Sequence, residues 1–565
     1  MRRIALAAAT LGFASAATCQ TFFPPPPAPT NNQTTTQKAL LGMTLFWEEQ
    51  MSTNDAVACG TCHSFSQGGT DERPLGTHAG YDGIFGTADD VAGSRGVAAR
   101  GLDGNRIPSS HGFEAQVTPR KAPSVINVAY QDRLFYDGRV REGDFRDPIT
   151  NQVMATGPTA LENLVLQPPL NPIEMGHPGR TWQDVVDKLA ASQPLRLADQ
   201  LPARLQNFIG TSTYPQLFQR VFGTPEITPT RVAFAIASYM RTLISDQSRF
   251  DYVLGGVGQL TAQETIGRQI FEGNSPSGGG IFSTACVRCH GDLSAQAHTS
   301  GPSARVTTMY GQTPTGNFHN TGLRPDFEDL GSGGISGLAN ERGRFKVPFL
   351  RNVGLHTAFG HNQQMHTLDE VVEFYDRGGD FHTNQAPEIQ PLNLTQAQKD
   401  ALVAFLDTLT DPRVANGVVP FDSPRLGSQN GNARPTPLGY ASAAGSPNVP
   451  VLVANEPMFL GSEHASLAVS NVAPNTLAAL LWDSQPNPTG IDLLGVTLYV
   501  GLQQPALTVM GTTTPAGNGK GWIATTFEVP NLQYLAGTQV VAQWLVLDPS
   551  ANHGLTASAA AVISL

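Results

Sequence analysis

From Lys38 to Pro412 the apolar positions recur with helical spacing in short segments set between long polar loops, and after Pro450 they change to short β-type runs. Ala39 to Trp47 reads as a helix, and Thr230 to Leu243 places Val232, Ile236, Met240 and Leu243 on one helical face as a core stripe. Three capping boxes open further helices. Thr261-Ala262-Gln263-Glu264 leads Ile266 and Ile270 toward a cysteine pair; Thr367-Leu368-Asp369-Glu370 and Thr395-Gln396-Ala397-Gln398 follow. The last helix runs through Leu402, Phe405, Leu406 and Leu409 and stops before Pro412. Pro450 to Val453, Leu467 to Val469, Ala478 to Trp482, Val496 to Val500, Trp522 to Phe527, Val540 to Leu547 and Ala561 to Ile563 read as strands separated by Gly, Pro and Asn turns. The spacing predicts a small antiparallel sandwich.

The start of the chain has a different pattern. Arg2 and Arg3 precede an apolar run from Ile4 to Phe13 and small residues from Ala14 to Thr18, the layout of a secretory signal peptide with a core too short to span a bilayer. The product is expected in the periplasm or secreted, without a transmembrane segment. Cys19 is a candidate lipid anchor, although Ala16-Ala17-Thr18 is a poor lipidation sequence. Residues 20–37 are Pro-rich and then polar, and read as a tether; residues 416–449, rich in Gly, Pro, Ser and Asn, read as a linker. The 565 residues leave room for three or four domains. The net charge of -11 gives no footprint for nucleic acid and suits either a cationic electron donor or plain solubility.

Candidate chemistry concentrates in two stretches, Cys59-Gly60-Thr61-Cys62-His63 and Cys286-Val287-Arg288-Cys289-His290. In C-x-x-C-H two thiols add to the vinyl groups of a haem and the following histidine ligates its iron. A zinc site or a disulfide would use the same cysteines. The histidine after each pair and the lack of another C-x-x-C nearby favour two covalently bound haem c groups. Attachment outside the cytoplasm agrees with the signal peptide. The Asp-rich loop from Gly80 to Asp90 does not have EF-hand spacing and reads as a solvated loop.

Four segments then carry a resemblance: Leu41-Gly42 through His63, Ala122-Pro123-Ser124 through Gly138-Arg139, Asn171-Pro172-Ile173-Glu174-Met175-Gly176, and Phe345-Lys346-Val347-Pro348 through Tyr375-Asp376-Arg377-Gly378-Gly379. In this order they resemble the bacterial di-haem cytochrome c peroxidase family, which includes MauG-type oxidases, across residues 38 to 412. The resemblance implies that His63 ligates the peroxide-reacting haem and that Glu174 moves protons on its open face. It implies that His290 ligates an electron-transfer haem. At the family's position for that haem's other ligand, where peroxidases have methionine and MauG has tyrosine, stands Tyr375; Met365 and Met309 are the alternatives. Tyr136 replaces a tryptophan that passes electrons between the haems, and Leu164 replaces a distal glutamine. A further ligand of the first haem falls to His78, His111 or neither. The family's calcium positions correspond to Lys121 and His356-Thr357-Ala358; a lysine repels a dication, so calcium is expected to be weakened or lost.

The expected architecture is mainly α, with two cytochrome c-like haem domains in tandem and a C-terminal all-β sandwich-like domain. Its boundaries are a signal peptide over 1–19, the tether over 20–37, a peroxidatic haem domain over 38–255, an electron-transfer haem domain over 256–415, the linker over 416–449 and an accessory β domain over 450–565. The expected function is reduction of hydrogen peroxide at the first haem, with electrons relayed through the second from a small cytochrome c or copper protein. The alternatives are a MauG-like oxidase of a protein or other bulky substrate and a non-enzymatic di-haem carrier. The β domain's partner is not indicated by any motif.

Overall fold

The computed structural model describes residues 23–273, 286–290, 318–430, 434–503, 505–516 and 518–565. The signal peptide, Cys19 and Met309 lie outside the described residues.

The first unit is built on two crossing helices. In α1 (Thr36–Phe46) Thr35 accepts the amide of Lys38, and in α2 (Pro229–Met240) Thr228 accepts the amide of Arg231 while Pro229 starts the first turn. They cross at Gly42, where a Cβ would lie 1.9 Å from the carbonyl oxygen of Ala235. Val232, Ile236 and Met240 are buried as the spacing predicts, but so are Ala233, Ala235 and Tyr239 on the other faces, because α2 is the centre of this unit and not a surface helix. Gly42→Ala forces this crossing apart and is expected to cost about 1–3 kcal/mol, read by urea unfolding.

The second unit repeats the plan. Helix α3 (Ala262–Glu272), with the predicted capping box at Thr261, crosses α5 (Gln396–Asp407) at Gly267, where a Cβ would again lie 1.9 Å from a backbone oxygen, that of Ala401. Between them, α4 (Leu368–Asp376) packs on α5. Phe46 and His63 have ring centroids 6.5 Å apart at 42°, and Phe271 and His290 have the same separation and angle. Asn127 and Asn352 both adopt left-handed backbone, φ 60° and 64°. Each closes its unit in the same way. Asn127 donates its amide to Leu243 and accepts that of Ser245; Asn352 donates to Leu409 and accepts from Asp411. The side-chain amide of Asn352 also reaches the hydroxyl of Ser245 at 3.0 Å, joining the units, and Arg351 grips Asp251 with two bonds of 2.6 and 2.7 Å.

Both connecting stretches differ from a tether and a linker. Residues 23–37 lie along the first unit. Phe23 is buried against Tyr130, the Tyr130 hydroxyl donates to Pro24, Arg241 donates to Pro27, and Asn32 bonds Glu162 at 2.7 Å. Proline-rich backbone keeps its carbonyls free, and here they are satisfied by side chains of the unit. Within 416–449, Phe421 and Leu426 are fully buried in the core of the first unit, the amide of Gly427 donates to Glu49, and residues 436–438 form a strand.

Among the described residues the C-terminal region holds eleven strands: β1 (Thr436–Leu438), β2 (Val451–Val453), β3 (Ala465–Val472), β4 (Leu477–Asp483), β5 (Pro486–Leu493), β6 (Val496–Val500), β7 (Ala506–Thr512), β8 (Thr514–Pro515), β9 (Gly521–Phe527), β10 (Gln539–Leu547) and β11 (Leu555–Ser564). They make a sheet in the order β1-β11-β10-β4-β7, a sheet in the order β2-β3-β9-β8 and the hairpin β5-β6, all antiparallel. Leu467, Val469 and Ile523 of one sheet meet Leu480, Trp544 and Ile563 of the other in a shared core. The seven predicted strands are present. The four others escaped the pattern: β5, with Pro486 and Pro488, is largely exposed, β1 and β8 are short, and β1, β7 and β8 all lie at sheet edges. Among the described residues no helix is long and apolar enough to cross a membrane.

Candidate functional site

Residues Cys59–Cys62 form one helical turn, held by the Ala58 amide on Thr61 Oγ1 at 2.8 Å and the His63 amide on Cys59 at 3.1 Å. Trp47 packs against Gly60, where a Cβ would sit 2.2 Å from the indole, and the i, i+3 spacing sets both thiols on one face. They open, with His63, into a cavity of about 580 Å³ walled by Phe46, Met51, Val57, Leu164, Ile236 and Met240. Burial pushes both thiols up to about 12, and no disulfide joins them. The Nδ1 of His63 lies 3.2 Å from the carbonyl of Gly69 and burial depresses the ring's pKa, so the ring is neutral with Nε2 left to ligate a metal. An apolar wall, two unbridged thiols and an oriented neutral imidazole fit a haem c.

Glu174 lines the same cavity. Asn171 fixes it locally, accepting the amides of Ile173 and Glu174 and donating to Glu174 Oε1 at 2.9 Å. Burial raises the Glu174 pKa, with Arg139 partly opposing. Tyr136 is also in the wall, its phenol pushed up by burial against the opposing charge of Arg120. Its ring meets His361 edge to face at 6.3 Å. His361 stacks on Phe345 at 3.8 Å, its Nε2 is 3.9 Å from Asp329 and lacks a hydrogen-bond partner, and burial lowers it to about 4. Arg120 bridges Asp329 and Asp137 at 2.6 and 2.7 Å. Sequence reasoning missed His361, Arg120 and Asp329. Only the place of His361 inside the Phe345 to Gly379 segment could have signalled it.

The two histidines left open by the sequence separate here. His78, on the short strand Gly76–His78, lines the cavity with its Nδ1 buried and unpartnered. His111 is not in the lining; its Nε2 lies 2.8 Å from the carbonyl of Thr77 and its ring contacts Phe85. Lys121 is buried with its ammonium donating to Ala358 at 2.6 Å, and burial lowers it to about 8. The carboxylates of Asp82, Asp89 and Asp90 accept bonds from within their own loop.

The second cysteine pair is arranged alike. The His290 amide donates to Cys286 at 3.0 Å and its Nδ1 lies 3.2 Å from the carbonyl of Pro348, again leaving Nε2 available. Burial raises Cys286 to about 12 and Cys289 to about 11. Tyr375, on α4, lies close enough to both thiols that they add to burial in raising its phenol. Met365 is buried in the same core.

A family model described as di-haem cytochrome c peroxidase matches residues 36–259. The chain is 26% identical to the cytochrome-c peroxidase IdrP2 of Denitromonas iodatirespirans, over 66% of this chain and 80% of the relative. It is 25% identical to the cytochrome c551 peroxidase of Nitrosomonas europaea, over 72% and 90%. It is 26% identical to the methylamine utilization protein MauG of Methylorubrum extorquens, over 66% and 78%. Among solved structures, a MauG-like protein associated with microbial copper homeostasis aligns with a TM-score of 0.50 at 24% identity, over 73% of this chain and 99% of that one.

Proposed function

Because the chain belongs to the di-haem cytochrome c peroxidase family and is an oxidoreductase of that type, we propose that it reduces hydrogen peroxide in the first cavity with electrons that enter through the second cysteine-pair unit. Two haem c groups, bound by Cys59, Cys62 and His63 and by Cys286, Cys289 and His290, supply the redox chemistry when present. One peroxide, two electrons and two protons give two waters. The observation that carries this reading is the single cavity that holds Cys59, Cys62 and His63 together with the buried, raised carboxyl of Glu174. Glu174 accepts a proton from the entering peroxide and returns it to the departing oxygen. With Leu164 where the resemblance has a glutamine, the side-chain amide beside Glu174 in the wall is that of Asn171, and Tyr136 lies where an electron passing from the second unit would cross. The repeated helix crossing, aromatic contact and asparagine closure support tandem haem domains over 38–255 and 256–415, with the β domain over 450–565.

The test is stoichiometric. The holoprotein, given a reduced small cytochrome c or copper protein and peroxide, oxidises two equivalents of donor per peroxide. Absence of peroxide-dependent oxidation overturns the reading. The same cavity weighs against a carrier without catalysis, and secretion to the periplasm or beyond fits the signal sequence. His78, facing the cavity, is the histidine that suits a further ligand there.

The place of Tyr375 against the second unit's core, which Cys286 also packs on, favours, as a second reading, MauG-like oxidation of a bulky substrate. As an anionic oxygen donor to the second haem Tyr375 would favour its oxidised form, so Tyr375→Met is expected to raise that haem's reduction potential on the order of 0.1 V. An unchanged potential in a redox titration removes Tyr375 as the ligand. Calcium is proposed to be dispensable, because the Lys121 ammonium already donates to the Ala358 carbonyl. Chelation is expected to leave turnover and melting unchanged, whereas a loss restored by calcium refutes this.

A further inference from the structure

We infer, on the basis of the peroxidase reading above, that the C-terminal strand-rich region is part of the support of the first site, with His464 a positioning residue for Glu174 that acts through His177 and Thr53. The rings of His464 and His177 meet edge to face, centroids 6.1 Å apart at 66°. His177 follows the Asn171–Gly176 segment by one residue, and its Nδ1 is 3.0 Å from the hydroxyl of Thr53. The Thr53 amide donates to the carbonyl of Met175, next to Glu174, at 2.8 Å. Thr53 is in the turn that leads into Cys59. The segment bearing the base and the segment bearing the first thiol are therefore tied together at one residue, and the strand-rich region closes over the tie.

The three consecutive residues of that turn each take a different contact. Thr53 holds the Glu174 segment, the Asn54 amide donates to Glu456 at 3.3 Å, and Asp55 accepts from Ser462 at 3.1 Å and pairs with Lys188 at 2.6 Å. All three are buried. From the other side Arg100 donates to Glu456 at 2.7 Å and to the carbonyl of His464 at 3.1 Å, which fixes the backbone from which the ring projects. Gly104 adjoins the ring pair, and a Cβ there would stand in ordinary contact, 3.7 Å from His464 and 3.9 Å from His177. Burial and the neighbouring Lys188 and Arg100 keep His464 neutral, lowering it to about 3, so it contributes a ring and not a charge.

The experiment compares full-length holoprotein with His464→Ala and His464→Phe, reading deuterium uptake of the 171–177 amides and the kcat and KM of peroxide reduction. His464→Ala is expected to speed exchange of that segment and to lower kcat roughly tenfold with the KM for donor unchanged, short of the ~10²-fold that a 1 Å misplacement costs. His464→Phe, which keeps a ring, is expected to restore both. Thr53→Val, which removes the hydroxyl at constant volume, is expected to reproduce the alanine effect and keeps the test open if His464→Ala does not fold. Tyr534→Ala, at a position 76% exposed, changes nothing. Unaltered exchange and kcat in His464→Ala, or failure of the phenylalanine to rescue them, overturns the inference. Altered exchange in a protein whose parent does not reduce peroxide upholds the positioning role and refutes the peroxidase reading instead.

Discussion

Glu174→Gln is expected to lower peroxide turnover by about 10²–10⁴-fold, the range a positioned general acid–base supplies. The amide occupies nearly the same volume and still accepts from Asn171, so geometry is preserved while the transferable proton is lost. Burial raises the carboxyl's pKa, which means the folded chain disfavours the carboxylate. The sign for stability follows. Above the folded pKa the buried charge is a cost, and removing it leaves the glutamine variant at least as stable as its parent at neutral pH. The sign for activity is opposite, because the carboxylate is the form that takes the first proton. Turnover in the parent therefore falls as pH drops through the raised pKa, and the glutamine variant lacks that limb. A variant with low turnover and an unchanged acid limb would place the proton acceptor elsewhere in the cavity.

The largest effect on folding is expected at Glu456. Its carboxylate, 3% exposed, faces the fully buried Arg100 at 2.7 Å and Arg106 at 3.6 Å and also accepts from Ser466 and Asn54. Glu456→Ala leaves two guanidinium groups buried without their anion, a loss of about 3–5 kcal/mol for a broken buried pair. Thermal melting of the full chain checks it. Burial by itself would raise the carboxyl, but the pull of Arg100 and Arg106 exceeds it and the folded pKa lies below the ordinary value. The stabilisation is accordingly complete above the unfolded glutamate pKa and is lost as pH falls through the folded one. The melting temperatures of parent and variant should converge in acid.

Much of the site was legible because C-x-x-C-H is a local chemical requirement. The cysteines, His63 and His290 stand out by spacing, whereas Glu174 was singled out only by the resemblance of the segment around it. The starts of α3, α4 and α5 were legible for the same reason, each being written in four residues from its cap. What escaped notice was long-range. Gly42 and Gly267, Phe46 and Phe271, Pro123 and Pro348, and Asn127 and Asn352 stand 225 residues apart in each case, a repeat visible in the sequence but too sparse to notice without the crossings it serves. His361 could not be told from other histidines, since its role depends on Phe345, Asp329 and Tyr136 meeting it in space. Nothing near Arg100 and Arg106 in the sequence marks them, because their partner Glu456 lies more than 340 residues later. The Pro-rich and Gly-rich stretches misled for a related reason. Composition reports what a backbone prefers alone and is silent on which carbonyls a distant arginine will claim.

The return of residues 416–430 over the first unit bears on how the molecule is made. Phe421 and Leu426 belong to the first unit's core, and Gly427 caps Glu49, although all are synthesised after the second unit. A ribosome that has delivered residues 1–255 has not delivered the side chains that seal that core. The unit that begins first is thus completed only after the second has been made, and a nascent chain keeps the first cysteine pair under an unsealed core until residues 416–430 emerge. The haem attachment proposed at Cys59 and Cys62 would find that core open until the strap arrives.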